Sequence, residues 1–75
     1  MTKQQKEAIS AAYNKIEEGM QDIETIRGEI QDDYDDLTEK QQEGKKGEEL
    51  QDILTNLDDV TGSLQSALDG IHPYM

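Results

Sequence analysis

ISAAYNKIEEGMQDIETIRGEIQDDYDDL, residues 9–37, returns a large aliphatic side chain at every seventh position: Ile9, Ile16, Ile23, Ile30 and Leu37. Seven residues are close to two turns of an α-helix, so these side chains form one stripe along it. No proline interrupts the run from Lys3 to about Asp36, and Ala, Glu, Gln, Lys and Ile dominate it. That composition favours a helix. With Ile9 at heptad position a, Ala12, Gly19, Ile26 and Asp33 take d, while Tyr13, Met20, Arg27 and Tyr34 take e. The apolar face therefore covers a, d and e, wider than a two-stranded seam requires.

A second stripe repeats the pattern with Leu50, Leu57, Leu64 and Ile71 at a. Ile53, Val60 and Ala67 stand at d, and Leu54 and Leu68 at e. Folding the chain between the stripes pairs Leu37 with Leu50, Ile30 with Leu57, Ile23 with Leu64 and Ile16 with Ile71, the residue numbers of each pair summing to 87. Two unrelated amphipathic helices would not agree in this way. The expected fold is all-α: an antiparallel two-helix hairpin, coiled-coil-like, forming a single domain over residues 1–75. Helix 1 is expected over about 3–36, a linker over 37–47, helix 2 over 48–69 and a loose tail over 70–75.

Local signals set these limits. Thr2 with Gln5, and Thr38 with Gln41, have the spacing of a capping box, and the second allows a short extra helical turn before Gly44. Gly47 suits an N-cap, with Glu48 and Glu49 on the positive end of helix 2. Asp69-Gly70-Ile71 followed by Pro73 reads as a helix stop with Gly in the left-handed region. Gly19, facing the core, would let the helices approach closely. Gly28 and Gly62 fall at f, facing water, where no packing role is evident.

At 75 residues the chain is short for an independent core, and with no cysteine and one histidine it has neither a disulfide nor an ordinary zinc site to brace it. Self-association is the remaining staple. The first dozen residues, including Ile9, have no counterpart on helix 2. Tyr13, Met20, Leu54 and Leu68 at e are expected to need cover beyond a lone hairpin. Ile9, Tyr13, Met20, Leu54 and Leu68 are thus the expected oligomer interface, within a dimeric four-helix bundle or a higher oligomer.

The net charge is −11, from 18 acidic and 7 basic side chains. Such a surface repels nucleic acid and anionic lipid and attracts basic proteins. No apolar run approaches the ~20 residues of a membrane span, and no signal segment opens the chain, so a cytoplasmic location is expected. Residues 1–20 carry three acids and three bases, whereas 21–36 carry seven acids against Arg27 alone. In the hairpin Asp32, Asp33, Tyr34, Asp35 and Asp36 come near Glu48, Glu49 and Asp52, and these eight are the candidate partner-binding residues. One explanation is a solvated end that keeps a small bundle soluble. Another is an acidic surface that competes with nucleic acid for a basic groove, as a mimic. A third is cation binding, although the run D-D-Y-D-D lacks the spacing and glycine of an EF-hand loop. Tyr34 there could anchor a protein interface, while Tyr13 is most simply a core-edge residue.

No Ser–His or Cys–His pair can be assembled, His72 has no fixed neighbour, and two helices offer no cleft for paired carboxylates. No enzyme activity, metal or cofactor is expected.

The segment EIQDDYDDLTEKQQEGKKGEELQ, residues 29–51, resembles small acidic proteins of bacteriophages and mobile elements. Those have a Tyr-Asp-Asn-Leu-Pro-Glu type turn and then a Gly-Glu that opens a second helix. Tyr34, Asp35, Leu37, Glu39, Gly47 and Glu48 match; Asp36 stands where Asn is usual and Thr38 where Pro is usual. The resemblance covers about half the chain. It implies a phage or mobile-element origin, a bacterial host and no established activity, and it favours an antagonist of a host nucleic-acid-handling or defence protein. A self-assembling structural module is the alternative. An oligomer that sequesters a nucleotide signal is a third reading, served only by Lys3, Lys6, Lys15 and Arg27.

Overall fold

A computed structural model describes all 75 residues and is 91% helical, with no strand. Helix α1 runs Lys3–Asp35, α2 Glu39–Glu43 and α3 Lys45–Ile71, followed by a 3-10 turn at His72–Tyr74. The molecule is a rod of 58 × 15 × 12 Å. α1 packs lengthwise on α3, and the short α2 caps the turn end against α3. Contacts join Tyr34 to Gln51, Arg27 to Asp58 and Tyr13 to His72. As numbers rise on one helix they fall on the other, so α1 and α3 are antiparallel. Each of these pairs sums to 85, within two residues of the expected register.

Both capping boxes form. Thr2 Oγ1 accepts from the Gln5 N–H at 3.1 Å while Gln5 Oε1 accepts from the Thr2 N–H at 2.9 Å. Thr38 and Gln41 repeat the exchange at 3.3 and 3.0 Å and open α2. Two orphan N–H groups are satisfied at each site, which is why α2 exists despite its length.

The short helical turn expected before Gly44 is α2. Other boundaries differ from expectation. The N-cap of α3 is Gly44, and Gly47 lies inside the first turn, buried. A Cβ on Gly47 would collide with the backbone carbonyl of Gln42, so this glycine is there to let α2 lie against α3. At the far end no glycine adopts a positive φ, and α3 continues through Gly70 to Ile71. The tail is a 3-10 turn packed on both α1 and α3 rather than loose.

The core also differs from expectation. Only Met20, Leu54 and Leu68 are buried hydrophobic side chains, Leu68 at 1% exposure. All three occupy e. The a-row residues Ile16, Ile23, Ile30, Leu50, Leu57 and Leu64 are half-buried, and the d-row Ile26, Ile53 and Val60 are exposed. Positions a and e are about 40° apart around a helix, so each helix is rolled by roughly that angle toward e. Volume explains it. The e row offers Tyr13, Met20, Tyr34, Leu54 and Leu68, whereas Ala12, Gly19, Asp33 and Ala67 thin out the d row, and burying larger apolar side chains removes more surface from water.

Candidate functional site

The roll divides the rod into two unlike faces. One face carries a polar ladder between the helices. Arg27 Nε donates to Asp58 Oδ1 at 2.7 Å and its Nη2 to Asp58 Oδ2 at 3.2 Å, a two-pronged pair that matches the guanidinium fork to the carboxylate. Hydrogen bonding and charge from Asp58 together raise the Arg27 pKa above its ordinary value, against a small opposing desolvation. Two turns toward the linker, Gln51 Nε2 donates to the Tyr34 hydroxyl at 2.9 Å. Gln42 Nε2 donates to the Tyr34 carbonyl at 3.1 Å and so ties α2 to α1. At the open end the rings of Tyr13 and His72 meet edge-on, centroids 6.0 Å apart. Between Arg27, Tyr34, Gln51 and Asp58 lies an open depression of about 400 Å³, lined mainly by polar side chains.

The opposite face is apolar and open. In an antiparallel pair, matching heptad positions flank the contact on the same side, so the d rows of α1 and α3 run together along it. Ile26 is 47% exposed, and Ile53 and Val60 are 42% each.

The third feature is the turn end. Residues 29–52 hold ten acidic side chains and three lysines. Asp32, Asp33, Asp35, Asp36, Glu48, Glu49 and Asp52 are all exposed there, as the sequence placed them. None is ion-paired; the chain's one salt bridge is Arg27–Asp58. They do not share a face. Their heptad positions c, d, f and g distribute them around the rod. Asp35 is engaged by Gln31 Nε2 at 3.0 Å, and Asp36 is the C-cap of α1. The carboxylates do not converge into a group that could hold a metal ion.

Of the expected site residues, Tyr34 is half-buried and braces the hairpin through both its hydroxyl and its carbonyl. Of the five residues expected at an oligomer interface, three lie inside the hairpin itself. Met20, Leu54 and Leu68 are already buried within one chain, so they need no cover from a second. Ile9 and Tyr13 are half-buried, Tyr13 beside the C-terminal turn that covers this end. Sequence reasoning missed Asp58, Gln51 and Gln42, and it assigned the open d row to the core. Comparing side-chain volumes in d and e would have found the last of these.

No helix is long and apolar enough to cross a membrane. No protein-family model matches the sequence, and comparison with curated proteins and with solved structures likewise yields no match.

Proposed function

We propose that this chain is a non-enzymatic protein-interaction module whose acidic turn end engages a basic protein. One observation carries the reading: seven exposed carboxylates crowd one end of a rigid rod with no cationic partner of their own. Fixed, unpaired charge of one sign is an attractive surface for a protein of the opposite sign, and it speeds encounter as well as binding. Carboxylates spread around the rod suit a groove that receives it end-on, as a basic nucleic-acid channel would. The turn segment's resemblance to small acidic phage proteins supports a host nucleic-acid-handling or defence protein as the target, met in the bacterial cytoplasm.

The test is a tagged pull-down from bacterial lysate, followed by titration of the captured protein against the purified chain at low and high salt. Asp32→Asn, Asp33→Asn, Asp35→Asn and Asp36→Asn combined should abolish binding while leaving the helical circular dichroism unchanged. Binding by the natural chain should weaken steeply as salt rises. Affinity retained by the quadruple variant would refute the reading.

A further inference from the structure

The apolar face carries an inference that does not rest on the acidic end. In the observed register Gly19 lies within one residue of the level of Ala67, Ile26 of Val60 and Asp33 of Ile53, each pair summing to 86 against 85 for the contacting pairs. The accessible surface is 5593 Å², whereas a folded monomer of 8.5 kDa exposes about 4,700 Å². The excess of roughly 900 Å², summed over the whole rod, is of the size of the ~800 Å² that each partner contributes to a standard interface. With three buried hydrophobic side chains, the hairpin lacks the core to stand alone. Its cover must therefore be present whenever the chain is folded, and a second copy always is.

We propose that two copies pack antiparallel through this face into a four-helix bundle, with the two-fold axis between the Gly19–Ala67 and Ile26–Val60 levels. Ile26 then seats on Gly19 of the second copy, Val60 on Ala67, and Ile53 reaches the C-terminal turn at Tyr74, itself 54% exposed. Large side chains meet small ones, the condition for close helix packing. Gly19 gains a reason here. Within one chain a Cβ at Gly19 would meet nothing within 4 Å, so the close approach it permits is to another chain.

Charge selects the same orientation. Lys15, at the flanking g position, comes level with Glu29 of the second copy, and only Asp22 meets a like charge on that flank, its own symmetry mate. A parallel pair would bring both acidic ends together. It would also set Gly19 on Ala67, leaving a gap, and Asp33 on Ile53. The antiparallel pair separates the acidic ends by most of the 58 Å rod, several times the ~8–10 Å Debye length.

The absence of native cysteine makes the register directly testable. Sedimentation equilibrium should give twice 8.5 kDa, and the melting temperature should rise with protein concentration. Under mild oxidation the double variant Val60→Cys, Ala67→Cys should form a covalent dimer. Those positions are two turns apart on one helix, too far for a bond within a chain. Val60→Cys alone should remain unlinked, and so should a mixture of Ile26→Cys with Val60→Cys. Val60→Glu with Ile26→Glu should lose the dimer. A natural chain that sediments at 8.5 kDa with its helicity intact would overturn the proposal. So would linkage by Val60→Cys alone, which requires a different axis, or linkage in the mixture, which requires parallel copies. Loss of the dimer leaves the basic-partner reading standing, and loss of partner binding by the aspartate variants leaves the dimer standing.

Discussion

Gly47, in the first turn of α3, and Gly62, in its middle, have opposite surroundings. Gly47 is buried where the Gln42 carbonyl of α2 takes the place of a Cβ, whereas nothing lies within 4 Å of a Cβ built on Gly62. Gly47→Ala should therefore destabilise the hairpin by about 1–3 kcal/mol through overpacking against backbone, despite alanine's better helix propensity. Gly62→Ala should stabilise it by about 1 kcal/mol, the ordinary propensity gain. Thermal melts of the two variants, monitored at 222 nm, should thus move in opposite directions. Equal gains would mean that α2 does not hold its place against α3. The sequence shows both glycines, but only the path of the backbone at Gln42, five residues upstream of Gly47, distinguishes them.

At the scale of elements, α2 is the informative case. Its five residues cannot sustain a helix by propagation alone, because nucleation is costly. It persists through the Thr38–Gln41 box, the Gln42 tether to Tyr34 and the close approach of its backbone to α3 that Gly47 permits. Thr38→Ala should cost about 1 kcal/mol. Amide exchange should accelerate over residues 39–43 while remaining protected in the middle of α1. Uniform acceleration along the rod would show instead that α2 unfolds only with the whole. Caps were legible in the sequence because their partners lie three residues apart. The true start of α3 was not, because Gly44 and Gly47 are both acceptable N-caps locally and the choice depends on where α2 lies.

For the whole molecule, the balance is between a thin apolar interface and a net charge of −11. With one surface ion pair to set against that repulsion, screening should favour the folded rod. Raising salt from about 50 to 500 mM, which shortens the Debye length from roughly 14 to 4 Å, should increase the melting temperature. A decrease would mean that attractive pairs outweigh self-repulsion. Binding to a basic protein has the opposite salt dependence, so the two processes can be separated in one preparation.

The heptad pattern by itself determined that there are two long helices, that they run antiparallel and, within two residues, in what register. It did so because an apolar stripe must be buried along its whole length, and only one fold-back aligns both stripes. The acidic turn end followed from the same alignment. Which side of the stripe faces inward was decided only in three dimensions. Rows a, d and e are all apolar enough to serve, and the larger side chains at e won the contact. That roll turned Met20, Leu54 and Leu68 inward, set Ile26, Ile53 and Val60 on the open face, and brought Arg27 to Asp58.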